Sequence, residues 1–122
     1  MFAIDHGWGG ELICPISPSY RVADMAMAIA PNVEHRIIGS RPGEKLHEVM
    51  FGLTEAAHVL RRNHYYIIAP RVGRWTLKDY CRDVPESHVL DEDFEYASNT
   101  NRDWLNIKGL RSLIRRELGA QC

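Results

Sequence analysis

The chain has 122 residues, the length of one compact domain. A composition of 45% hydrophobic and 25% charged residues excludes a disordered or fibrous chain. A formal charge of −1, from 15 basic and 16 acidic residues, excludes any global pull toward nucleic acid or an anionic membrane.

The first nine residues, MFAIDHGWG, read as a loose lead-in. Glu11 to Cys14 is predicted as a short strand stopped by Pro15 and Pro18, and Ser19 as the cap of the following helix. In that helix Val22, Met25, Ala26, Ile29 and Ala30 hold the spacing of an amphipathic face, and Pro31 ends it. Val33 to Gly39 reads as a second strand, with Val33, Ile37 and Ile38 turned to the core. A turn-rich, charged segment, Ser40-Arg41-Pro42-Gly43-Glu44-Lys45, comes next.

Leu46 to Phe51 is expected to be extended, and Thr54 to cap a short helix through Ala57. Val59–Leu60 and His64 to Ala69 read as two strands joined by a turn at Arg61, Arg62 and Asn63. Residues 71–103 carry no clear period, although Trp75 and Trp104 suit core anchors. A last helix begins near Asn106, with Ile107, Leu110, Leu113, Ile114 and Leu118 as its apolar stripe and Gly119 as its stop. Together these elements predict one α+β domain with short strands, a hairpin and two main helices. No linker or repeat divides it.

The longest apolar run, Met25 to Ala30, is far below the roughly 20 residues that span a bilayer. No export leader is legible, so a cytoplasmic chain without membrane or nucleic-acid partners is expected. Cys14, Cys81 and Cys122 are widely spaced and odd in number, which argues for reduced thiols rather than a disulfide framework or a zinc site. Cys122 is expected to be exposed and able to cross-link chains in air. Twelve of the 15 basic residues are Arg, a bias that fits anion contacts or genomic base composition equally well.

Recognised catalytic patterns are missing. Gly7-Trp8-Gly9-Gly10 lacks the third glycine and the preceding strand of a dinucleotide fingerprint, and no Tyr is followed four residues later by Lys. His47-Glu48 begins like a zinc-protease motif, but Phe51 stands where the second His belongs. No metal site and no catalytic residue are therefore assigned.

The stretch Gly39-Ser40-Arg41-Pro42-Gly43-Glu44-Lys45-Leu46-His47-Glu48 resembles the G-x-R-P-G-E-K-x-x-E signature of the polysaccharide-biosynthesis family of nucleotide-sugar dehydratases and epimerases. Within that family it is most similar to the inverting UDP-N-acetylglucosamine 4,6-dehydratases of surface-polysaccharide pathways. Collinear matches surround it: Gly10-Glu11-Leu12-Ile13 through Pro15, the helix to Pro31, Tyr65 to Pro70, and Tyr96-Ala97-Ser98 through Asn101 and Trp104-Leu105. The resemblance covers residues 10–118 and departs from the family at Ser40, usually bulky and apolar there.

The resemblance implies the C-terminal substrate region of an extended short-chain dehydrogenase/reductase, without its Rossmann domain. In complete members, hydride leaves C4, water is lost across C5–C6, and hydride returns to C6. NADP and the residues for those steps belong to the Rossmann half, so no cofactor is expected here. By position Arg41 is the phosphate contact of UDP and Glu44 the ribose contact, with Lys45, His47 and Glu48 in support. Apart from the resemblance, the same residues suit a salt-bridged structural loop. Two functions are expected from this reading. One is a nucleotide-sugar-binding domain, inactive alone, that takes a UDP-sugar such as UDP-N-acetylglucosamine or works in trans with a Rossmann protein. The other is a non-catalytic interaction protein that keeps the fold, has lost the ligand, and self-associates as a homo-oligomer.

Overall fold

The computed structural model describes residues 2–119, and the expectation for Cys122 lies outside them. It is a small α+β structure whose chain folds into two compact units, each built from two separate segments. The first comprises Met1–Ile16 and Val49–Ala97, and the second Ser17–Glu48 and Ser98–Cys122. The sequence, which predicts a single unit, carries no linker where the chain passes from one unit to the other, after Ile16, Glu48 and Ala97.

The first unit holds α1 (Phe2–His6), β1 (Leu12–Pro15), β2 (Val49–Phe51), α3 (Leu53–Ala56), β3 (Val59–Arg62), β4 (Tyr65–Ile68), α4 (Leu77–Asp83), β5 (Ser87–Val89) and β6 (Tyr96–Ala97). A four-stranded antiparallel sheet runs in the order β1-β4-β3-β5, with Leu12 opposite Ile68, Leu60 opposite Ile67 and Arg61 opposite His88. A second sheet pairs β2 with β6 across an irregular register.

Alternation along β3 and β4 sends successive side chains to opposite faces, and both faces are covered. Val59 and Tyr66 join Cys14, Phe51 and Tyr96 on one side, while Leu60 and Ile67 join Ala69, Trp75, Tyr80 and Val84 on the other. Double burial is why residues 65–69 form an almost unbroken apolar run rather than an alternating one. Burial also pushes the Cys14 thiol and the Tyr66 phenol up from their ordinary pKa values.

Several expectations are corrected in this unit. The lead-in is ordered: Phe2 stacks on Tyr65 at 4.2 Å under the Arg62 guanidinium, and Trp8 packs against Trp75 and Tyr80. Its two aromatic residues make ring contacts that no apolar period announces. The hairpin turn is Asn63–His64, because Asn63 takes the positive φ of 52° that the turn needs, so Arg61 and Arg62 stay in β3. Thr54 lies inside α3, whose N-cap is Gly52; the Gly52 amide donates to the Glu55 carboxylate at 3.2 Å. The region without period holds α4, started by a capping box in which Thr76 Oγ1 accepts from the Asp79 amide and the Asp79 carboxylate accepts from the Thr76 amide.

The second unit holds α2 (Val22–Ile29) and α5 (Ile107–Leu118), which pack together. Asn106 caps α5 by accepting from the Gly109 amide at 2.9 Å, as its position predicts. α2 begins after Arg21 with no side-chain cap. Ser19 is instead buried in a bridge to Trp104, donating its amide to Asp103 and accepting from the Leu105 amide at its carbonyl. The buried face of α2 centres on Ala28, with Met25 and Ala26 half-buried, whereas Val22 and Ile29 are exposed. Trp104 is also partly exposed, its indole N–H donating to the Asn101 carbonyl. Residues 34–41 form no strand, and Val33, Ile37 and Ile38 are exposed rather than turned to a core.

Candidate functional site

The charged segment after residue 39 forms a turn with a defined cause. Pro42 fixes the φ of the second turn residue, Gly43 takes a φ of +88° at the third, and the Glu44 amide closes on the Arg41 carbonyl at 3.0 Å. Pro followed by a positive-φ Gly is the requirement of a type II turn. The Glu44 side chain folds back over it: one oxygen, Oε2, accepts from the Arg41 amide at 2.8 Å. The other, Oε1, lies 3.9 Å from Arg41 Nε, and the two side chains remain 78% and 52% exposed.

Arg41 and Glu44 are therefore brought together on one open turn. Lys45 and His47 are exposed, and among the described residues neither has a hydrogen-bond or ionic partner. Glu48 acts through its backbone: its amide donates to Ser98 Oγ at 3.0 Å and its carbonyl accepts from the Ser98 amide at 2.8 Å. Those two bonds tie down the C-terminal end of the turn segment.

The structure adds two residues that sequence reasoning did not single out. Asn101 donates to the Ser17 carbonyl at 2.8 Å and to Ser19 Oγ at 3.1 Å, and its Oδ1 accepts from the Asp103 amide. It knots two segments 82 residues apart, which no local pattern can reveal. Glu11 in the first unit accepts from the Trp8 amide at 2.7 Å through Oε1, while among the described residues no donor reaches its buried Oε2. With Gly7, Gly9 and Gly10 it lines a cleft of about 440 Å³. The surrounding glycines were the available signal for it.

These glycines do not fit a dinucleotide cofactor. They connect α1 to β1, a helix-to-strand passage, whereas a pyrophosphate cradle leads from a strand into a helix N-terminus. Among the described residues no group of three His, Cys, Asp or Glu side chains is placed to hold a metal ion. No helix among them is long and apolar enough to cross a membrane.

Comparison with known proteins agrees with the signature on this turn. A family model described as polysaccharide biosynthesis protein matches residues 1–70. The chain is 34% identical over 115 residues to a UDP-N-acetylglucosamine 4,6-dehydratase (inverting) from Campylobacter jejuni serotype O:2, covering 91% of this chain and 34% of that protein. It is 33% identical over 117 residues to the enzyme of the same name from serotype O:23/36, with the same coverage. The X-ray structure of Pen from Bacillus thuringiensis shares the fold, with a TM-score of 0.72 at 20% identity over 94% of this chain and 34% of that one. The chain thus spans about a third of the length of the curated relatives it matches. A match over more than half of its residues, carried through the Arg41–Glu44 turn, places the chain in the polysaccharide biosynthesis protein family.

Proposed function

We propose that this chain is a UDP-sugar-binding region in which the Arg41–Glu44 turn grips the nucleotide. Arg41 meets the diphosphate, Glu44 accepts from the ribose hydroxyls, and Lys45, His47 and Glu48 support the loop. The reading rests on the openness of the pair. An exposed ion pair at 3.9 Å contributes about 0–1 kcal/mol, so it yields readily to a stronger partner. A charge-assisted, bidentate guanidinium–phosphate contact contributes about 1.5–3 kcal/mol. Glu44 keeps its hold on the Arg41 amide through one oxygen, leaving the other to face a diol. The relatives act on UDP-N-acetylglucosamine by name, which makes that compound the substrate to test first. On this reading the chain binds without turnover, and NADP and the hydride chemistry belong to a Rossmann partner.

Calorimetric titration with UDP and UDP-N-acetylglucosamine tests the proposal. Saturable binding is expected, weakened about tenfold or more in Arg41→Ala, equivalent to about 1.4 kcal/mol per tenfold. Gly43→Val keeps both side chains but opposes the positive φ, so it is expected to weaken binding as well. Absence of saturation at millimolar ligand, or equal affinity in Arg41→Ala, overturns the reading.

A second reading, a self-associating interaction protein, is supported by one observation. Ile37 is 92% exposed and Ile38 is 76% exposed in the segment just before the turn.

A further inference from the structure

Residues 32–38, Asn-Val-Glu-His-Arg-Ile-Ile, combine a strand-forming composition with the absence of a strand. Three of the seven are β-branched and apolar, and all three are exposed, Val33 at 61%. Among the described residues, Glu34, His35, Arg36, Ile37 and Ile38 make no hydrogen bond at all. Backbone donors and acceptors in such a run are a template for another strand. Its limits are set: Pro31 lacks an amide donor, and Gly39 turns the chain at a φ of +79°.

The charge pattern selects the occupant. Glu34 and Arg36 flank His35 symmetrically, with Val33 and Ile37 one position further out. Antiparallel pairing of two copies about a twofold axis at His35 places Glu34 opposite the partner's Arg36 and Val33 opposite the partner's Ile37. Both contacts recur on the other side of the axis, as an isologous interface requires. Opposite charges and paired β-branched side chains are the favourable cross-strand combinations. Shifting the axis to Arg36 puts two guanidinium groups face to face. Setting it between His35 and Arg36 leaves Glu34 opposite an isoleucine. In-register parallel pairing opposes Glu34 to itself and Arg36 to itself. Charge complementarity thus favours one register and one partner.

We propose that residues 32–38 form a homodimer interface by antiparallel strand addition centred on His35. This gives the second functional reading a surface and a register. Arg41 and Glu44 lie outside the paired run, so nucleotide binding and dimerisation fail or succeed separately.

Sedimentation velocity in the presence of a thiol reductant, on the full chain from about 10 µM to 1 mM, tests it, since so short an interface implies weak association. A concentration-dependent shift from monomer to dimer is expected. Arg36→Glu and Glu34→Arg are each expected to raise the dissociation constant at least about tenfold, because each creates two like-charge pairs. The double variant Glu34→Arg/Arg36→Glu restores association to within about threefold, and Ile37→Asp abolishes it. All three positions tested are exposed, and circular dichroism checks that the fold is kept. A monomer throughout the range overturns the proposal. So does a dimer indifferent to Arg36→Glu, or a double variant that stays monomeric.

Discussion

Leu110 is the large apolar side chain on which the second unit is built. Of that unit's described residues only Ser19, Ala28 and Leu110 are buried, and the first two are small. Leu110→Ala removes three carbons from a fully buried site on α5, where α5 packs on α2. Substitutions of this kind cost about 2–5 kcal/mol, through lost transfer energy and the cavity left behind. A compact unit of roughly sixty residues carries about 3–9 kcal/mol in all. One leucine side chain therefore supplies at least about a fifth of the unit's stability. Hydrogen exchange read by mass spectrometry is the assay, with peptides over residues 22–29 and 107–118. Both helices are expected to lose protection together, by a factor of about 30 or more, which corresponds to about 2 kcal/mol. Leu113→Ala, at a half-buried position on the same stripe, is expected to have a smaller effect in the same direction. If α2 keeps its protection in Leu110→Ala, Leu110 does not join the two helices.

Asn101→Ala removes the donor shared by the Ser17 carbonyl and Ser19 Oγ, leaving a buried hydroxyl without it. A loss of about 1–3 kcal/mol in urea denaturation is expected, and Asn101→Asp, which cannot donate, should fall as far. Acid stability has a definite sign in the first unit. Hydrogen bonds from Thr76 hold the Asp79 carboxyl below its ordinary pKa, the Arg82 hydrogen bond does so for Asp83, and the Thr54 hydroxyl for Glu55. Lowered folded values mean that the unfolded chain binds more protons as pH falls. Their stabilisation is present above the unfolded carboxylate range, near pH 4, and is lost as pH drops through the folded values. The urea midpoint should be flat from pH 7 to about 5 and fall below about 4, with a shallower fall in Asp79→Asn. A midpoint that rises on acidification refutes the assignment.

The elements that could be read from the sequence are those whose determinants are local. Asn106 and Gly119 bracket α5, and the apolar runs Val59–Leu60 and His64–Ala69 point to the central hairpin, whose strands are Val59–Arg62 and Tyr65–Ile68. Elements fixed by distant partners could not be read. Phe2 and Trp8 order the N-terminal segment only because Tyr65, Trp75 and Tyr80 wait for them. Ser19, a plausible helix cap by type, is claimed by a bridge to Trp104. α4 was missed although Thr76 and Asp79 spell a capping box, because no apolar period accompanies it. The 33–39 strand failed for the opposite reason: its composition is correct, and no described strand lies beside it. At the site, Pro42 and Gly43 announced the turn directly. The return of Glu44 onto the Arg41 amide depends on the turn's closed geometry, and the anchoring of Glu48 on Ser98, 50 residues away, so neither is local in sequence pattern.

The interleaving of the two units also orders events during vectorial synthesis. Every strand of the first unit precedes the last helix in the chain, so none of its sheet pairings waits for α5 to be synthesised. α2 is less fortunate. Its partner α5 begins almost 80 residues later, a delay of about 4–16 s at ordinary elongation rates. Throughout that interval the apolar side of α2 has no native neighbour, and a chaperone that recognises short amphipathic helices would find it there. Nascent chains stalled before Ile107 should be held by such a factor, and chains released after Leu118 should not.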